Sequence, residues 1–145
     1  RKQCRLCEKN SLWLGIKKKK AGIMKVIDTD IFIDFFRGFP KTLPYLQEHA
    51  EDIIFSAITE GELLSGEVCN NLQQKEKVFH LLSQFEKIPV DNPLIQIAAD
   101  LRRRYGLELP DAIIAASALV TTSPLVTRNT KDFQNVEGLQ LEKPY

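Results

Sequence analysis

From Met24 onward, short apolar runs alternate with segments of helical periodicity, and this alternation limits the possible architecture more than any other feature of the chain. Strands separated by helices pair in parallel, and the helices then cover both faces of the sheet. Met24–Ile27, Asp52–Ala57, Lys87–Val90 and Leu125–Thr127 read as strands, with Leu139–Leu141 as a possible last one. Between them Thr29–Phe36, Lys41–His49, Thr59–Ser65, Asn70–Phe85, Asn92–Tyr105 and Asp111–Val120 read as helices. Local chemistry sets their ends. Gly38 and Pro40 stop the first helix and Gly106 ends the fifth, while Pro110 stands where a helix starts and a missing N–H costs nothing. The expected fold is α/β: a three-layer α/β/α sandwich with a mainly parallel central sheet.

The 145 residues suit a single domain, and 43% hydrophobic with 27% charged residues is an ordinary globular mixture. The longest apolar runs, such as Ala112–Val120, are far too short to span a bilayer, so no membrane association is expected. Three cysteines do not make a disulfide framework in a chain of this size, which points to a reducing, cytoplasmic setting.

Net charge is near zero, yet its distribution is uneven. Residues 1–23 carry eight Lys/Arg, including the run Lys17–Lys20, against Glu8 alone. Residues 24–145 are left with 12 Lys/Arg and 18 Asp/Glu. The only Met is Met24, directly before the first strand, so residues 1–23 are expected to be a non-native or disordered basic extension and residues 24–145 the folded domain. Cys4-x-x-Cys7 in the extension is half of a zinc site by spacing, and Cys69 does not complete it.

In a parallel α/β sheet the ligand crevice lies beyond the carboxyl ends of the strands, which is where the notable acids fall. Asp28 ends the first strand, and Arg128 to Asp132 follow the fourth. Each acid also has an ordinary structural role open to it. Asp28 is a good helix N-cap, and Asp30 and Asp111 fit the first turn of a helix, where the dipole favours a carboxylate. Thr59 and Glu62 have capping-box spacing, and Asn129 with Asp132 resembles another cap pair. The set is more informative than its members. Acids gathered on one sheet edge repel unless a cation offsets them, and hard oxygen ligands suit Mg²⁺ or Mn²⁺. His49 and His80 lie on helices away from these motifs.

Four stretches carry a family resemblance: Val26-Ile27-Asp28-Thr29-Asp30, Ser56-x-x-Thr59-x-x-Glu62-Leu63-x-x-Gly66, Leu109-Pro110-Asp111-Ala112-x-Ile114-Ala115-Ala116 and Leu125-Val126-Thr127-Arg128-Asn129-x-x-Asp132-Phe133. In this order they resemble the PIN domain, particularly the VapC-like toxins of toxin–antitoxin pairs. The resemblance runs from Met24 to about Tyr145. It implies a homodimeric, metal-dependent endoribonuclease silenced by a cognate antitoxin protein, with Asp28, Glu62, Asp111 and Asp132 as catalytic and metal-binding acids. Thr29, Thr127, Asn129 and Arg128 are expected in support, with Arg128 contacting flanking RNA phosphates and Arg102–Arg104 either joining it or forming a solvated helix face. A metal-activated water would attack the phosphodiester without a covalent enzyme intermediate. Glu60, two positions from Glu62, should point elsewhere.

Two rival readings come from other classes. Asp28-x-Asp30 after a strand is similar to the start of haloacid dehalogenase-type phosphatases, but Phe32 stands where those carry Thr or Val. The other rival is a catalytically weak PIN-like module that binds or scaffolds RNA.

Overall fold

The computed structural model describes residues 23–145. Expectations for the Cys4/Cys7 pair, the Lys17–Lys20 run and the remainder of residues 1–22 lie outside the described residues.

Adjacent residues on a strand face opposite sides of its sheet, and here both sides are apolar. On β1 (Lys25–Ile27), Val26 enters one hydrophobic cluster and Ile27 the other. On β2 (Ile53–Ser56), Ile53 and Phe55 face one side and Ile54 the other, and on β4 (Leu125–Val126) Leu125 and Val126 divide in the same way. Strands buried on both faces read as continuous apolar runs, which is how these three appear in the sequence. β3 (Glu86–Ile88) and β5 (Leu141–Glu142) are less buried, as edge strands should be. The sheet order is β3-β2-β1-β4-β5, and every pairing is parallel.

Helices cover both faces. On one side lie α1 (Thr29–Phe36), α2 (Thr42–His49), α3 (Ala57–Ser65) and α4 (Leu72–Leu82), with Phe32 packed edge-on against Phe55. On the other lie α5 (Asn92–Tyr105), α6 (Leu109–Val120) and the short α7 (Thr130–Phe133). Residues Ala112 to Ala118 of α6 are all buried, because this helix is enclosed by the sheet and by α5. Alanine at four of these positions lets the backbones approach closely. The three-layer sandwich is therefore the observed fold.

Three boundaries differ informatively from expectation. α3 begins at Ala57, capped by Ser56, and not at Thr59. α4 is shorter than Asn70–Phe85, because Asn71 caps its start by accepting from the Gln74 N–H and Ser83 ends it. α7 was not anticipated, since four residues are too few to display a period.

Candidate active site

Because the strands run in parallel, Asp28 after β1, Ser56 at the end of β2 and Thr127 after β4 stand at the same sheet edge. Asp28 caps α1: its Oδ1 accepts the Thr29 N–H at 2.8 Å, while Oδ2 accepts the Thr127 hydroxyl at 2.7 Å. Burial, then repulsion from Asp30, and more weakly from Asp111, pushes its pKa up to about 7 in spite of these hydrogen bonds. Capping and charge clustering are thus not alternatives at Asp28. One carboxylate does both.

Glu62 is positioned by hydroxyls. Thr29 donates to its Oε1 at 2.8 Å, and the same Thr29 oxygen lies 3.0 Å from the Thr59 hydroxyl. Since the single Thr29 proton goes to Glu62, Thr59 must donate to Thr29, giving a directed chain Thr59→Thr29→Glu62. No capping box forms, because Ser56 has taken the cap position. Thr59 and Glu62, three residues apart, instead share the helix face turned towards α1. Gly66, at the end of the same motif, has a steric role: a Cβ there would lie 2.9 Å from the Glu62 carbonyl oxygen. Glu60 points away, with its carboxylate 3.0 Å from Lys87 Nζ.

Asp111 lies half-buried in the first turn of α6. Burial raises its pKa to about 6, assisted by repulsion from Glu62, Asp132 and Glu108. Asp132, exposed on α7, accepts a short hydrogen bond from the Asn129 side-chain amide. Asn129 makes no side-chain cap bond to α7, and its backbone N–H donates to Thr127 Oγ1 at 3.0 Å. Asp28, Glu62, Asp111 and Asp132 are therefore linked electrostatically through Asp111. Among the described residues, no three His, Cys, Asp or Glu side chains are drawn together into a ready-made metal-holding group.

Asp30 is a further carboxylate at this edge. Its Oδ2 accepts the Arg128 N–H at 3.3 Å, and its Oδ1 is buried with no hydrogen-bond partner among the described residues. Burial pushes its pKa to about 6. The all-oxygen, mutually repelling donor set has the chemistry that suits a hard divalent cation.

The cations lie elsewhere. Arg128 does not extend freely towards solvent: its Nη1 donates to both oxygens of Asp34, at 2.8 and 2.7 Å. Arg102, Arg103 and Arg104 are exposed in the last turn of α5, where Arg102 reaches the Leu107 carbonyl at 3.4 Å and Arg104 lies over the Tyr105 ring. His49 stacks on Tyr45, away from the acids. The motifs also gave no indication of Asp34, Tyr145 or the hydroxyl role of Thr59. Helical spacing of Thr59 to Glu62 and of Asp30 to Asp34 carried a signal for two of these residues, but nothing local marked Tyr145.

A parallel sheet with carboxylates at its carboxyl edge, fixed by threonine hydroxyls from neighbouring strands and helices, defines a class of acidic-site α/β domain. The family model for the PIN domain matches residues 25–139, and the chain belongs to that family. It is 34% identical over 125 residues to ribonuclease VapC19 of Mycobacterium tuberculosis, covering 81% of this chain and 98% of that protein. The toxin–antitoxin complex from Klebsiella pneumoniae contains a similar chain, with TM-score 0.72 and 34% identity over 83% of this chain and 98% of that one. FitAcB from Neisseria gonorrhoeae is similar at TM-score 0.69 and 26% identity, covering 83% and 98% respectively.

Proposed function

We propose that this protein is a metal-dependent endoribonuclease and the toxin of a toxin–antitoxin pair. The observation that carries this reading is the electrostatically linked group of carboxylates at the carboxyl edge of a PIN-domain sheet, from buried Asp28 to exposed Asp132, two of them with pKa values raised by burial and mutual repulsion. Similarity to a ribonuclease and to a chain of a toxin–antitoxin complex supports it. Residues 24–145 form the nuclease domain. RNA is the substrate, a cognate antitoxin protein the partner, a homodimer the assembly and the cytoplasm the location. Among the described residues, no helix is long and apolar enough to cross a membrane.

Asp28, Glu62, Asp111 and Asp132 would hold Mg²⁺ or Mn²⁺, which supplies Lewis-acid chemistry for phosphodiester hydrolysis when bound. The chain's own contribution is arrangement. Thr127 fixes Oδ2 of Asp28, and the Thr59–Thr29 chain fixes Oε1 of Glu62, so two carboxylates from different elements are set before any ligand arrives. Asp111, with a pKa raised to about 6 in the metal-free protein, must be ionised to serve as a ligand, so ion binding is linked to pH. An acidic body binds RNA poorly by bulk charge, so the cation also supplies the local positive potential the substrate needs.

Family membership sets aside the haloacid dehalogenase-type phosphatase. The remaining rival is the catalytically weak RNA-binding or scaffolding module. Cleavage of total RNA in Mn²⁺, its loss in chelator, and its loss in Asp28→Asn protein purified in parallel separate the two readings. Equal cleavage by wild type and Asp28→Asn would assign the activity to a contaminant.

A further inference from the structure

We propose that Asp34, Arg128 and Tyr145 form a latch that positions the β4–α7 loop, making Asp34 and Tyr145 positioning residues for the candidate site. The inference rests on the nuclease reading for its catalytic consequence, while the latch itself stands on geometry. Asp34 on α1 is buried, and both its oxygens receive Arg128 Nη1. Its Oδ2 also accepts the Tyr145 hydroxyl at 2.9 Å. As the tyrosine proton is committed to Asp34, the Thr42 hydroxyl, 2.8 Å away, donates to the tyrosine oxygen. The chain thus runs Thr42→Tyr145→Asp34, with Arg128 meeting it from the opposite side. The guanidinium also lies over the Phe39 ring, 5.5 Å from its centroid, and that ring packs against Tyr145 at 5.2 Å. Arg128 is therefore held by a carboxylate and an aromatic face together.

Its place in the loop gives this restraint a function. Thr127 holds Asp28, Asn129 donates to both Thr127 and Asp132, and Arg128 lies between them with its N–H on Asp30. Three successive loop residues are thus tied to one another or to α1. The Arg128–Asp34 pair is the outermost tie, and it draws in α2 through Thr42 and the chain end through Tyr145. Nη1 of this arginine is committed to Asp34, although half the side chain is exposed.

The test compares Asp34→Asn, Arg128→Met, Arg128→Lys, Tyr145→Phe and the Asp34→Asn/Arg128→Met double variant with wild type. In metal-free protein, amide hydrogen exchange at residues 127–129 should be about tenfold faster or more in Asp34→Asn and Arg128→Met, and intermediate in Tyr145→Phe and Arg128→Lys. Unchanged protection of Ile53–Ser56 shows that the variants remain folded. In Mn²⁺, kcat on a single-stranded RNA should fall about 10- to 100-fold in Asp34→Asn and Arg128→Met, as when the support of a metal-ligating residue is lost. KM and its salt dependence should stay constant, Arg128→Lys should recover part of kcat, and the double variant should be no worse than the weaker single. Unchanged exchange at 127–129 in every variant would overturn the latch. So would a raised KM with a flatter salt dependence in Arg128→Met, since that marks a phosphate contact. Wild-type protein that cuts no RNA would remove the nuclease reading alone, leaving the exchange result to decide the latch.

Discussion

Replacing Asp28 by Asn should stabilise the metal-free protein at pH 8 and not at pH 5. In the native state the Asp28 carboxyl has its pKa raised from 3.8 to about 7, chiefly by burial. A raised carboxylate pKa means that the folded protein binds the proton more tightly than the unfolded chain. Its penalty is therefore absent below the unfolded value, grows as pH rises from about 4, and is complete above about pH 7. About three units at 1.36 kcal/mol each is about 4 kcal/mol. Asparagine resembles the protonated acid, but its amide N–H₂ must face the Thr127 hydroxyl and leaves hydrogen bonding incomplete, which returns about 1–3 kcal/mol. A net gain of about 2 kcal/mol corresponds to about 4–8 °C in Tm for a domain of this size. Urea and thermal unfolding in chelator at pH 5, 6, 7 and 8 would follow the gap between the two proteins. It should be near zero at pH 5 and open as pH rises. Saturating Mn²⁺ should close or invert it, because an ion at about 100 times its Kd stabilises only the protein that binds it, by about 2.7 kcal/mol. A gap independent of pH, or an Asn variant less stable throughout, would refute the burial argument.

Other expectations follow from single contacts. Asp111→Asn should abolish RNA cleavage while leaving circular dichroism unchanged, and Glu60→Gln, which loses only an exposed pair with Lys87, should keep cleavage within about twofold and stability within about 1 kcal/mol. Thr59→Val should lower cleavage by releasing Thr29 from its donor, at a folding cost of about 1 kcal/mol measured by urea titration. Gly66→Ala should cost about 1–3 kcal/mol, because the new methyl would lie 2.9 Å from the Glu62 carbonyl oxygen. Mn²⁺ affinity should fall as pH drops through about 7 and then about 6, where Asp28 and Asp111 of the metal-free protein take up protons, an effect read by titrating Mn²⁺ at each pH.

The layered fold was legible in the sequence because β1, β2 and β4 are buried on both faces, which writes them as apolar runs with no polar alternation to confuse the reading. The edge strands and α7 were harder to bound. Residues such as Glu86, Lys87 and Glu142 do not resemble a buried strand, and two to four residues display no period. At the site, Asp28 follows a strand and Asp111 opens a helix, which made their place on one edge legible, whereas Glu62 lies mid-helix and was marked only by its spacing from Thr59. What the sequence concealed was direction. Thr59 with Glu62 has capping-box spacing, yet Ser56 occupies the cap and frees both side chains for Thr29. Arg128 beside the acids resembled a phosphate ligand, and its ion pair with Asp34, far away in the chain, was not marked by any local spacing. Such pairings depend on tertiary contact, which no local spacing encodes.

The strand order also constrains when a working edge can exist during synthesis. β1 can join β2 early, but its other flank stays open until Val26 meets Leu125. By then Asp111 has emerged, with Thr127 and Asp132 close behind. A growing chain on the ribosome, surrounded by RNA, therefore carries Asp28 and Glu62 well before their partners. Closing so long a loop is slow, and that delay keeps the edge incomplete until the β4 segment has been made.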